Sequence, residues 1–89
     1  MSSRARAVAV RFLEDLFKRP KHIDSLSQDP EFLSLDSRDR RLVTELVYGV
    51  LRNRERLDHY LRNLSRIPLR KLDGPVRWIL RVALYQVEF

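Results

Sequence analysis

The chain contains no cysteine. That excludes disulfide bridges, thiolate metal sites and a cysteine nucleophile within it. It has only two glycines, too few for a glycine-rich phosphate loop. No apolar run approaches the roughly 20 residues that cross a bilayer. The opening MSSRARAVAV has no uninterrupted apolar core after its charges, so it does not read as a secretory signal. His22 and His59 lack Cys, Asp or His partners at metal-ligand spacing and read as surface residues. There is no Ser/His/Asp set and no paired-acid motif, so neither a catalytic nor a metal site is expected in this chain. Internal repeats, low-complexity segments and the alternation of strands are also missing.

What is present is an 89-residue chain, 44% apolar, the size of one small domain. Its formal net charge is +6, and the cations are mostly arginine. Two readings of that charge stand. One is an anionic partner, nucleic acid before an anionic membrane surface, because a planar guanidinium grips phosphate with two donors and stacks on bases. The other is a charge-rich surface of the kind a heat-adapted host makes.

The stretch Asp36–Arg56, DSRDRRLVTELVYGVLRNRER, organises the rest. Asp36 or Ser37 supplies a helix cap. Leu42, Val43, Leu46, Val47, Val50 and Leu51 then fall on one helical face, with Arg41, Glu45, Tyr48 and Arg52 opposite. Gly49 inside this helix costs about 1 kcal/mol against Ala and points to close approach of another helix. Upstream, residues 4–18 predict a helix capped by Ser2 or Ser3, with Ala5, Val8, Ala9, Phe12, Leu13, Leu16 and Phe17 sharing a face. Arg4, Arg11 and Lys18 stand opposite, and Pro20 stops the helix. Residues 23–35 are acidic, with Asp29-Pro30 as a helix start. A bend near Asn53 leads into a helix over 54–65. In the closing stretch Asp73 caps and Pro75 sits in the first turn. Val76, Ile79, Leu80, Ala83, Leu84 and Val87 define one face there, but Trp78, Val82, Tyr85 and Phe89 make the helix apolar most of the way round. Such a helix belongs at the centre of something. With no Gly or Asn to end it at Phe89, the chain reads as a fragment or as an oligomer whose partner covers the exposed flank.

Three pieces of sequence carry a resemblance: RARAVAVRFL, DRRLVTELVYGVLRNRERLDHYL and PLRKLDGPVRWILRVALYQVEF. In this order they resemble the NusB-like domain at the N-terminus of bacterial 16S rRNA (cytosine-C5) methyltransferases, the RsmB (Sun/Fmu) family. The resemblance covers nearly the whole chain. It implies an all-α, NusB-like bundle of about five helices over residues 1–89 that lacks the last helices of the full fold. The implied role is a cytoplasmic RNA-binding accessory domain, partnered by RNA of the small ribosomal subunit and not by a membrane. The S-adenosylmethionine cofactor and the cysteine nucleophile belong to a catalytic domain absent here, so the chain itself is not expected to be an enzyme. A stand-alone NusB-type antitermination factor and a protein-interaction or dimerisation module are the alternatives.

By position, Arg4, Arg6 and Arg11 match the arginine-rich first helix that the resemblance associates with RNA. Their bland reading is a solvated face beside Glu14 and Asp15. Arg38 stands with Arg40 and Arg41 at a helix start, where the macrodipole disfavours cations. A ligand is one reading; offset by Asp36 and Asp39, with Arg41 paired to Glu45, is the other. Arg52, Arg54 and Arg56 form one basic bend, and Arg70 and Lys71 another beside Arg66. Tyr48 is a candidate base-stacking residue, with packing under the first or last helix preferred. Trp78, Val82, Tyr85 and Phe89 are the candidate self-association flank. Arg77 and Arg81 are expected to reach solvent or pair with an acid such as Glu45.

Overall fold

The structure, a computed structural model, describes residues 3–19 and 21–89. The Ser2 cap and the Pro20 stop fall outside the described residues. The described residues contain helices and no strand: α1 (Ser3–Lys18), a 3-10 segment (Ile23–Gln28), the single turn α2 (Pro30–Leu33), α3 (Ser37–Arg52), α4 (Arg54–Leu64), a 3-10 turn (Leu69–Lys71) and α5 (Gly74–Glu88).

Each start has a chemical cause. Asp36 Oδ1 accepts from the Asp39 N–H at 2.8 Å and so opens α3. Asp29 does the same for α2 through the Phe32 N–H at 3.1 Å, with Pro30 pre-set in the first turn. The corner between α3 and α4 is made by Asn53. Its side chain turns back to donate to the Gly49 carbonyl at 2.8 Å, which ends α3 and leaves α4 without a side-chain cap. Asp73 behaves differently from the expectation. It makes no side-chain cap to α5; its backbone carbonyl accepts from the Arg77 N–H instead.

α1 packs chiefly on α3 and α5, and α5 also contacts α4. Arg4 reaches Ser34 just ahead of α3, and Phe17 shares a cleft with the end of α3, so these two helices run in the same direction. Their buried faces, Val8, Phe12 and Leu13 against Val43, Leu46, Val47 and Val50, form the centre of the core, completed by Leu57, Trp78 and Val82. Burying a side chain of this size contributes about 1.5–3 kcal/mol. Gly49 lies where the expectation placed a close approach. The ring and hydroxyl of Tyr85 occupy the space that a Cβ there would fill.

The orientation of α5 is a correction. Trp78 and Val82, read above as a self-association flank, are 3% and 2% exposed and belong to this chain's own core. Tyr85 is half-buried on Gly49, and of the four only Phe89 is well exposed. The flank turned to solvent is Val76, Ile79, Ala83 and Val87. The physical reason is the ion pair of Arg81. Its guanidinium meets Asp58 of α4 through Nε–Oδ1 at 2.7 Å and Nη2–Oδ2 at 2.9 Å, and lies 4.3 Å over the Trp78 ring. A bidentate charge pair fixes which side of an all-apolar helix faces inward.

Candidate nucleic-acid interface

Arginines on this fold divide into those already engaged and those left open. Arg11 is engaged. Nη1 donates to Asp15 at 3.0 Å, Nη2 donates to Asp29, and Nε lies in ion-pair contact with Glu31. Burial alone would push the Arg11 pKa down. Hydrogen bonds to Asp29 and Asp15, and then the charges of Asp29 and Glu31, raise it above its ordinary value. Burial likewise would raise the Asp29 carboxyl. The Arg11 and Phe32 hydrogen bonds, with the charges of Arg11 and Lys21, hold it below the usual carboxylate range. Arg11 therefore ties α1 to the acidic 29–31 segment and is not free for phosphate, contrary to its place in the expected RNA-binding set.

Tyr48 is also corrected as a stacking platform. Its hydroxyl donates to Asp24 Oδ1 at 3.2 Å and its ring packs against the edge of the core. Burial, followed by the hydrogen bond and charge of Asp24, raises its pKa. A carboxylate beside the ring repels phosphate. Tyr48 does pack, but beside Asp24 and Phe32 rather than under the first or last helix.

The remaining expected cations lie in two places. Arg4 is exposed, donates to Ser34 Oγ at 3.0 Å, and stands near exposed Arg38 at the start of α3. Arg6 is half-buried along an apolar groove between α1 and α5, beside Val10 and Ile79. About 20 Å away along α1, the other end of the bundle gathers Arg52, Arg54 and Arg56 around the α3–α4 corner. Arg70 and Lys71 are exposed on the 3-10 turn, whose carbonyls at Leu69 and Leu72 accept from Arg77 Nη1 at 3.3 and 2.7 Å. Arg77 thus neither reaches solvent freely nor pairs with Glu45, and the pairing expected between Arg41 and Glu45 does not form among the described residues.

Phe17, expected on the buried face of α1, is 53% exposed at this second end. Its ring lies 4.9 Å from Trp78 on one side, and the Arg54 guanidinium lies 4.9 Å from its centroid. Lys18 adjoins it, 69% exposed and in a long ion pair with Glu14 at 4.0 Å. The only sequence signal for this place was an aromatic in the last helical turn directly before Lys18-Arg19.

These features define a small all-helical bundle with an acid-tied face and a basic, aromatic-bearing end. The chain belongs to the NusB family, whose model matches residues 3–89. It is 34% identical over 86 residues to a probable ribosomal RNA small subunit methyltransferase B of Synechocystis, covering 96% of this chain and 19% of that protein. It is 31% identical over 84 residues to the ribosomal RNA small subunit methyltransferase B of Sodalis glossinidius, covering 94% of this chain and 19% of that protein. A probable methyltransferase B of Bacillus subtilis is 42% identical over 55 residues, 62% of this chain and 12% of that protein. The chain therefore spans about one-fifth of the length of the first two relatives. No solved structure gives a significant match. Among the described residues no helix is long and apolar enough to cross a membrane, and no acid or histidine cluster could hold a metal ion.

Proposed function

We propose that this domain is the RNA-binding accessory part of a cytoplasmic 16S rRNA (cytosine-C5) methyltransferase. It places rRNA for a catalytic domain that lies outside these residues and that would use S-adenosylmethionine. The observation that supports this is the division of the arginines. Arg11 is neutralised by three carboxylates, while Arg38, Arg52, Arg70 and Lys71 are exposed and make no ion pair among the described residues. Open guanidinium groups on a surface of net charge +6 attract phosphate and release its counterions. The names borne by the relatives favour this over a stand-alone antitermination factor.

The test is a salt titration of binding to a small-subunit rRNA fragment, with an unrelated stem-loop as control. Affinity should fall steeply with salt, with a log–log slope that shrinks by about 0.7–0.9 for each phosphate contact removed. Arg52→Ala with Arg70→Ala should flatten that slope. Arg11→Ala should leave it unchanged and instead cost about 1 kcal/mol of stability, since this one-third-exposed network is screened by solvent. Absence of binding at low salt, or an effect confined to Arg11, would refute the reading. Self-association through the last helix would fall on Val76, Ile79, Ala83 and Val87; an Ile79→Glu variant that sediments like the parent at every concentration dismisses it.

A further inference from the structure

The exposed end of α1 carries a feature that phosphate binding does not use. Arg81, Trp78, Phe17 and Arg54 form one column, two rings tilted by 43° between two cations. Arg81 lies 4.3 Å over Trp78, the two rings are 4.9 Å apart, and Arg54 lies 4.9 Å over Phe17. The inner end is fixed, because Arg81 is held by both Asp58 oxygens. At the outer end, Arg54 has no carboxylate partner among the described residues and Phe17 is half exposed.

The column lines a cleft of about 390 Å³, and Phe17 and Arg54 also line a second of about 720 Å³ at the α3–α4 corner. Volumes of this order hold a ligand of nucleotide size. Across the two clefts, six cations face three carboxylates. Asp58 and Arg81 neutralise each other, which leaves the excess of three positive charges unchanged. The second cleft also meets the first turn of α4, which has no side-chain cap, so the partial positive charge of that helix end adds to the attraction.

An exposed phenylalanine under an arginine, with cations on both sides, is poorly explained as core. Its ring is half exposed although it lies between Trp78 and Arg54. We propose that this cleft takes one unpaired nucleotide of an RNA strand. Its base extends the column by stacking on the Phe17–Arg54 pair, and its flanking phosphates meet Lys18, Arg52 and Arg56. A planar guanidinium on a ring is a surface on which a base stacks without regard to its identity. The site would therefore select unpaired over paired RNA and carry little sequence preference. This inference rests on the RNA-binding reading and adds to it a location, a strand state and a residue, Phe17, outside the basic set.

The test uses the 89-residue chain and a short single-stranded RNA with one internal 2-aminopurine, whose emission falls when it stacks. A blunt RNA duplex of equal length is the companion probe. The parent protein should quench the single strand and bind it more tightly than the duplex. Phe17→Leu keeps the apolar bulk and removes the ring; Arg54→Lys keeps the charge and removes the plane. Each should weaken single-strand binding by about five-fold or more, abolish the quenching, and leave duplex affinity and its salt slope unchanged. Circular dichroism and melting of both variants report whether they fold, and the surface position of Arg54→Lys guards against loss of fold in Phe17→Leu. If both variants bind and quench as the parent does, the cleft is not the nucleotide site, while the RNA-binding reading stands. If the parent binds both probes without quenching, the cleft is overturned in the same way and Phe17 is left as a contact for another protein segment. If the parent binds neither probe at low salt, the RNA-binding reading itself fails, and this site with it.

Discussion

Removing one carboxylate from α4 should take away a large share of this domain's stability. Asp58 holds Arg81 with two hydrogen bonds of 2.7 and 2.9 Å, and the two side chains are 16% and 11% exposed. In Asp58→Ala the guanidinium stays where the fold put it, over Trp78, without its counter-charge. Loss of one partner from a buried pair costs about 3–5 kcal/mol; residual exposure at both ends places the expectation near 3 kcal/mol. A domain of this length has a total stability of about 4–13 kcal/mol. The loss would lower Tm by about 12–24 °C at the usual 4–8 °C per kcal/mol. Trp78 is the only tryptophan and touches Arg81, so its emission follows urea unfolding of this part of the core. Its amplitude will change in the variants, so the midpoint and slope are the quantities to compare. Arg81→Met in the Asp58→Ala background should restore much of the loss, because an apolar replacement of both partners leaves no buried orphan charge. A shift under about 1 kcal/mol in Asp58→Ala, or a double variant no better than the sum of the single ones, would refute the claim that this pair orients α5.

Two further outcomes follow from the geometry. The Asp29 carboxyl is held below its ordinary value, so its contribution is complete above the unfolded pKa of about 3.9 and is lost as pH falls through the folded value. Asp29→Asn should lower stability at neutral pH and flatten the decline of Tm below about pH 4; an acid limb identical to the parent's would contradict the linkage. At Gly49, alanine gains about 1 kcal/mol of helix propensity but drives its Cβ into the Tyr85 ring. Overpacking of about 1–3 kcal/mol should win, giving a net loss by urea melt that Tyr85→Ala suppresses. A stabilised Gly49→Ala would mean that the ring swings aside freely.

Much of this architecture was legible in the residues because it rests on local chemistry. Asp36 and Asp29 cap where a short acceptor precedes a helical run, and Asn53 breaks the chain where the amphipathic pattern shifts. Gly49 marked a close approach because glycine mid-helix is unfavourable without one. The three motifs gave the family. The arginines were harder. Arg11 looked like one of a row with Arg4 and Lys18, because helical spacing shows which side chains share a face and not which acids arrive from elsewhere in the chain.

The last helix separates the two kinds of information most clearly. Its sequence determined that it is a helix and where it starts, but the expectation that it is buried most of the way round is not met, since only Trp78, Arg81 and Val82 are buried. The sequence could not determine which side turns inward, since a helix that is apolar most of the way round has almost no preferred face. Only the tertiary arrangement decided that. Asp58 sits 23 residues from Arg81, and their pairing turns Trp78 and Val82 into the core while leaving Val76, Ile79 and Val87 outside. The same rotation brings Trp78 against Phe17 and builds the Arg54 column. The helices, their caps and the excess of arginine were thus set by neighbours in sequence, through backbone hydrogen bonds and side-chain periodicity. Which arginines are neutralised and which remain open was set by long-range ion pairs, which depend on distances that no linear pattern contains.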